Sequence, residues 1–408
     1  MNDTWKAAES RFSEALRSVS QTSWLVTLLA VVVALVAGAG LIIFADQGVQ
    51  SAAGYFFARP MDFFSAAWTA VSDAYSAMFR GAIFDWQAAT FERSVRPVTE
   101  SMVYSVPLIL AGLGIAIGFR AGMLNIGGQG QIILGATFAG FIGYAMELPL
   151  GAHALLALVG GLLGGAIWGG IAGVLKAKAG ANEVIVTIML NNIALYLLAY
   201  LLRQNWFTHT TSTQPQSAPV AESAELFGLL GPGFRLHAGF LVAILATVFF
   251  WWLMERSTIG FEFRAIGDNP EAARTAGINT VKATALVLIV GGALAGLGGA
   301  AHVLGTEHRL TGGISGSLGF DAITVALLGR SRPLGTFLAG LLFGGLQAGG
   351  VLMQAQTGTP IDIVLVLQAV IVLMIAAPPL VRAVFLLPRP DGRPRLRRRA
   401  KTTEEAVA

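Results

Sequence analysis

Long apolar runs joined by short polar segments set the pattern of this chain. Nine of them, at residues 24–44, 101–119, 132–146, 155–175, 184–202, 239–254, 283–304, 334–353 and 363–381, are long or nearly long enough to cross a bilayer, which takes about 20 helical residues. The runs at 132–146 and 239–254 are short by this measure and are expected to extend into their flanks. A tenth apolar piece, 320–329, is too short for a straight crossing. The runs are continuously apolar rather than alternating, which predicts helices and not the strands of a barrel. The reading is an all-α polytopic membrane protein with about nine to ten transmembrane helices, some broken or short.

The polar interruptions carry the candidate chemistry. Segment 255–280 reads ERSTIGFEFRAIGDNPEAARTAGINT. Within it Asn269 is a good N-cap, Pro270 fits the first helical position and Glu271 suits the positive helix end. Ala272 and Ala273 propagate the helix, Arg274 follows, and Gly277 can take the left-handed conformation that stops it. This short helix, with Ala273 expected to face water, reads either as a rigid docking element for a soluble partner or as a plain capped connection. A second interruption, Asn125 to Gln131 with Gln129 between them, separates two spans almost without charge. Broken helices of this kind are tolerated where they face protein or a water-filled cavity, and they often build transport sites. Asn182 and Glu183 read as a helix start. Thr187, Asn191 and Asn192 lie deeper, where amides are costly unless they meet other helices or a polar solute; a pathway role and interhelical hydrogen bonding are both open readings.

Lys and Arg give the orientation. With the N-terminus inside and 320–329 counted as a crossing, inside segments hold twenty basic residues and outside segments seven. Both termini and the loop 255–280 are therefore expected in the cytoplasm. Trp5, Ala8, Phe12, Leu16 and Val19 recur at helical spacing, so residues 1–23 read as an amphipathic segment on the inner leaflet. The formal net charge of +4 concentrates in the tail 389–408; beside a span this is expected to contact anionic lipid rather than nucleic acid. The loop 45–97 holds eleven aromatic residues, with Phe64, Trp68, Val71, Tyr75 and Met78 at helical intervals. It is expected to lie on or dip into the outer membrane face. Segment 204–236, rich in Thr, Ser, Gln and Pro, reads as an exposed connection. Residues 24–388 thus form one membrane domain.

Composition sharpens this picture. The chain is 55% hydrophobic and 12% charged, with 50 glycines and no cysteine. Gly161, Gly165, Gly169 and Gly173 recur every four residues, and Gly340–Gly344 and Gly345–Gly349 repeat the spacing; helix packing is the preferred reading over ligand contact. No cysteine-ligated metal is possible, the five histidines lack metal spacing, and His302 and His308 read as interfacial. No catalytic cluster of His, Asp, Glu, Ser or Cys is evident, which disfavours a membrane enzyme. No phosphate loop G-x-x-x-x-G-K-[ST] is present. Glu100, Asp321 and Asp362 lie at span edges rather than in a relay, which points away from ion-driven carriage and toward an engine on another chain.

Three segments, FRAGMLNIGGQGQ (119–131), ANEVIVTIMLN (181–191) and RAIGDNPEAAR (264–274), together resemble the permease subunits of bacterial nucleoside ABC importers, within the group that imports simple sugars and branched-chain amino acids. The likeness runs in order from about residue 61 to 388. Gln129 departs from it, standing where the family often carries glutamate. The resemblance implies a permease of the bacterial inner membrane that needs no cofactor of its own, with ATP bound by a cytoplasmic ABC ATPase. It implies a second permease chain, typically a paralogue, and an extracytoplasmic solute-binding protein. Asn269 to Gly277 would be the coupling helix, and the pathway would run near Asn125–Gln131 and Thr187–Asn192. Nucleosides would be the first choice of cargo, simple sugars next and branched-chain amino acids third. A self-sufficient secondary transporter or channel for a small polar solute is the alternative that the apolar pattern alone leaves open.

Overall fold

A computed structural model describes residues 23–208, 214–231 and 233–376. Its helices in chain order are α1 Ser23–Ala45, α2 Gln47–Ala53, α3 Pro60–Ala82, α4 Phe91–Arg120, α5 Gly128–Ala145, α6 Ala152–Ala179 and α7 Glu183–Leu201. After a single turn at Asn205–Thr208 come α8 Gly239–Arg256, α9 Thr258–Asp268, α10 Pro270–Thr275, α11 Thr280–His302, α12 Leu318–Leu328, α13 Pro333–Thr357 and α14 Asp362–Ala376. The only β pairing among the described residues is two isolated bridges. The expected helix at Trp5–Val19 and the basic tail lie outside the described residues.

Among the described residues six helices are long and apolar enough to span a bilayer, or seven if a bent pair, 31–45 with 47–53 at 72°, counts as one span. The other expected runs are the shorter helices α5, α12 and α14, the last described only as far as Ala376. α5 gives its first turn to Gly128, Gln129, Gly130 and Gln131, and α12 has only 11 residues. Residues 38–368 form one compact unit; the described parts of the other, 23–37 and 369–376, are uncharged helical segments.

Within 38–368, α11 is the central helix, packed against α6, α4 and α5. Glycines let these backbones meet. A Cβ on Gly165 of α6 would stand 2.2 Å from the Gly292 carbonyl oxygen of α11, and one on Gly169 2.2 Å from that of Leu288. The facing glycines reciprocate: a Cβ on Gly296 would lie 2.4 Å from the Gly161 carbonyl oxygen. On α13, Gly340 and Gly344 face α4, while Gly349 faces Met78 of α3. The packing reading of both glycine series is therefore observed as contact.

The aromatic-rich segment 45–97 is two helices, α2 and α3, plus the first turns of α4, rather than a loop. Its buried face is not the aromatic one: Ala67, Ala74 and Ala77 point inward, whereas Phe64 and Trp68 are exposed. Small residues won because α3 lies close against α13. Arg80 pins the end of α3, donating to Asp85 at 2.8 Å and to Gln356 at 3.2 Å. That hydrogen bond holds the Asp85 carboxyl below its ordinary range.

The described part of 204–236 is also not a free connection. Ser217 N donates to the Leu310 carbonyl at 3.0 Å, Val220 N to that of His308 at 2.9 Å and Leu226 N to that of Leu304 at 3.1 Å. His153, at the start of α6, holds the Ser223 hydroxyl at 2.8 Å. His237 is buried beside this segment, accepting from Gly239 N through Nδ1 at 3.1 Å, with Nε2 3.3 Å from the Thr306 hydroxyl. Accepting at Nδ1 requires the neutral ring with its proton on Nε2.

Gly165→Ala is expected to destabilise the protein by about 1–3 kcal/mol through overpacking. Gly345→Ala, whose nearest outside neighbour is Ser101 Oγ at 3.7 Å, should be near neutral. Thermal unfolding of the purified variants compares them, and equal midpoints would refute backbone contact as the determinant of packing. His237 gives a pH dependence. Burial, aided by the charges of His308, His302 and Arg235, pushes its pKa down from 6.5 to about 4. The fold favours the neutral ring, so this contribution is complete above pH 6.5 and is lost as pH falls toward 4. It amounts to about 3 kcal/mol. Unfolding measured across that window should show the loss, and His237→Gln should flatten it.

Candidate functional site

The site begins where α4 ends. Gly122, at φ +68°, turns the chain back, and Met123 N donates to the Gly118 carbonyl at 2.9 Å, closing the helix as left-handed C-caps do. The chain then runs without helix through Met123–Gly127 before α5 starts. Buried backbone of this kind needs partners, and the amides supply them. Asn125 is 1% exposed; its Oδ1 accepts from Gly127 N at 2.9 Å and its Nδ2 donates to Gln131 Oε1 at 3.2 Å. From α7, Asn191 reaches across the break: Oδ1 accepts from Gly130 N at 2.8 Å, and Nδ2 donates to the Ile126 carbonyl at 2.9 Å. Thr187 is buried, bonds back to the Glu183 carbonyl at 2.7 Å and packs beside Gly127. Asn192 is on the other face of α7, exposed, donating to the Ile188 carbonyl at 3.0 Å. The structure thus gathers Asn125, Gln131, Thr187 and Asn191 into one cluster and leaves Asn192 outside it. Asn182 caps α7, accepting from Val184 N at 2.9 Å, and Glu183 pairs with Lys176 at 2.7 Å.

Gln129 points to a third element. Its Nε2 donates to the Gly316 carbonyl at 2.6 Å and to Ser315 Oγ at 2.8 Å, and its Oε1 accepts from Gly319 N at 2.9 Å. Both halves of a neutral amide are used. A carboxylate would set an oxygen against the Gly316 carbonyl, so glutamine fits this environment as glutamate would not.

Ser315 lines a half-open cavity of about 210 Å³ beside α4, α12, α13 and α14, whose polar walls include Tyr104, His302, Asp321, Gln347 and Gln368. Asp321 accepts from Ser317 Oγ at 2.6 Å. Sequence reasoning passed over Gln347 and Gln368, although an amide inside an otherwise apolar span was the signal already used for Asn191. A larger open groove, about 1060 Å³, lies at the basic end among Arg120, Trp251, Glu255, Arg256, Arg332 and Leu334.

The segment 255–280 holds two helices where one was expected. α9 packs inward through Gly260, Phe263 and Ile266. Asn269 caps α10 as expected, accepting from Glu271 N and Ala272 N at 3.0 Å each, and Gly277 has φ +88°. Ala273 does not face water: it is 4% exposed and belongs to the core, and Ile278 N closes the helix end onto its carbonyl at 3.0 Å. Glu271, Ala272, Arg274 and Ala276 form the open face. The helix pair also touches the break. A Cβ on Gly267 would stand 2.6 Å from the Arg120 carbonyl oxygen, and Arg120 pairs with Glu255 at 2.7 Å.

Asn191→Leu should leave the Gly130 N–H and the Ile126 carbonyl buried without partners, a loss of about 2–4 kcal/mol. Gln129→Glu should be milder, because its partners lie nearer the cavity, but should still lower the unfolding midpoint. Thermal unfolding tests both, and an unchanged midpoint for Asn191→Leu would remove it as the clasp of the break.

The sequence pattern of the family described as branched-chain amino acid transport system / permease component matches residues 98–376. The chain is 37% identical to the guanosine ABC transporter permease protein NupP of Bacillus subtilis, over 77% of this chain and 88% of that one. It is 38% identical to the glucose ABC transporter permease protein TsgB13 of Haloferax volcanii, over 68% and 75%. It is 34% identical to the nucleoside ABC transporter permease protein NupB of Lactococcus lactis, over 69% and 80%. No solved structure matches it. A bundle of apolar helices built around a clasped break thus carries a sequence of known kind, and the chain belongs to the branched-chain amino acid transport permease family as a permease subunit of an ABC importer.

Proposed function

We propose that this permease serves nucleosides, with simple sugars as the second choice, in the bacterial inner membrane with both termini cytoplasmic. Two of the three relatives above are named for guanosine or nucleosides and one for glucose. A cytoplasmic ATPase supplies ATP binding, and an extracytoplasmic protein delivers the solute. The partner permease is a paralogue: Bacillus subtilis has two proteins named guanosine ABC transporter permease, NupP and NupQ, and this chain is 37% identical to the first and 27% to the second. Asn125, Gln129, Gln131, Thr187 and Asn191 frame the pathway from behind, whereas Asn192 looks outward from α7.

The observation that carries the coupling assignment is α10. It is capped, its base is buried at Ala273, and its face of Glu271, Ala272, Arg274 and Ala276 is open. At about 1.5 Å per residue it is roughly 9 Å long, a knob rather than a domain. In this assignment Asn269, Pro270 and Gly277 shape the knob, and Glu271 and Arg274 make polar contacts with the ATPase.

Ala276→Trp tests the reading, because the side chain projects into solvent and leaves the core intact. The variant should insert and fold with an unchanged unfolding midpoint, yet lose copurification with the ATPase or its stimulation of ATP hydrolysis by about tenfold, the effect of roughly 1.4 kcal/mol at a docking surface. Normal copurification with normal uptake would return α10 to a capped connection. A binding screen of the solute-binding protein against nucleosides, pentoses and amino acids settles the cargo.

A further inference from the structure

The cavity beneath Ser315 differs from the break in one respect: its amides are free. Gln368 is 5% exposed and faces the cavity; Gln347 and Tyr104 are half-buried on the same walls, and none of the three side chains makes a hydrogen bond among the described residues. These groups are not sealed in the core: they open into the cavity, where their hydrogen-bonding capacity is met by water or by a ligand. Glutamine offers a donor and an acceptor on one plane, the pattern that pairs with the edge of a nucleobase. Asp321, anchored by Ser317, brings acceptor oxygens of the kind that take hydroxyl protons from a sugar. Tyr104 and His302 add aromatic rings to the same walls. At about 210 Å³ the space is below the range of roughly 300–1,000 Å³ typical of drug-sized ligands, so it suits one small solute.

We infer that this cavity is a substrate subsite of the permease, in which Gln347 and Gln368 hydrogen-bond the base of a nucleoside and Asp321 meets its sugar. The inference rests on the nucleoside reading of the importer and adds a location and a recognition chemistry to it. Gln129 is the positioning residue, since it fixes Ser315, Gly316 and Gly319 and so holds the wall in which they stand.

The chain has no cysteine, which makes a direct test available in the complete transporter reconstituted in proteoliposomes. Gln347→Cys and Gln368→Cys each introduce this chain's single thiol, with the unsubstituted complex as the control for cysteines elsewhere. A small water-soluble methanethiosulfonate reagent should label both and abolish guanosine uptake. Binding protein loaded with guanosine should slow the labelling, and ribose should slow it less. The double variant Gln347→Leu/Gln368→Leu should raise the apparent KM for guanosine about tenfold, the size expected for one or two lost hydrogen bonds, with assembly and ATP dependence retained. If the unsubstituted complex accumulates ribose and not guanosine, the cargo assignment fails and takes the base-recognition chemistry with it. If guanosine is accumulated, but the thiols never react or react without effect on uptake or protection by guanosine, the cargo stands and the cavity is not a subsite. The thiol experiment decides the matter even if the double variant does not fold.

Discussion

The arrangement depends on how closely α6 and α11 approach. Between apolar helices in a bilayer no hydrophobic gain remains to drive association, so contact must come from van der Waals fit. Here the fit is backbone on backbone, Gly165 against Gly292 and Gly161 against Gly296. With α6 and α11 in contact at that range, α11 also reaches α4 through Gly291 and Gly114 and α5 through Gly299 and Ile132. The break between α4 and α5 is thereby held in protein rather than in lipid, which is the condition under which irregular backbone survives at depth.

Two kinds of polar group result. Those at the break are mutually satisfied: Asn125 with Gln131, and Asn191 with the backbone of Ile126 and Gly130. In the neighbouring cavity Asp321 and Ser315 are held by Ser317 and Gln129, whereas the amides of Gln347 and Gln368 make no hydrogen bond among the described residues. Gln129 joins the two regions, anchored in α5 and bonded to the segment that lines the cavity. The helix pair α9–α10 meets the same framework from the other side, at Arg120 and Gly267. In the proposed coupling, a displacement of α10 would reach the end of α4 through α9, where Gly267 lies against Arg120.

Much of this was legible in the sequence, and the rest was hidden for identifiable reasons. The apolar runs became helices because their length and uniform hydrophobicity allow nothing else in a bilayer. Asn182 and Asn269 capped helices because a cap is a local matter of one side chain and two backbone N–H groups. Failures came where tertiary contact decides. The spacing of Phe64, Trp68, Val71, Tyr75 and Met78 marked a helix but not the face that packs, which is formed by Ala67, Ala74 and Ala77 while Phe64 and Trp68 are exposed. Ala273 was placed in water because the motif is polar, but α10 needs one inward residue to sit on the fold. The glutamines of α13 and α14 become a pair only when the helices converge; nothing in their spacing announces it.

The clasped break has a consequence for traffic past it. A conduit works when each stop is shallow enough to leave as well as to enter. Asn125, Gln131 and Asn191 have already spent their donors and acceptors on one another and on the chain. In the proposed pathway, a hydroxyl-rich solute moving by would find a polar neighbourhood that offers it little grip. The break then gives passage a smooth floor, with no adhesive patch to delay the cargo.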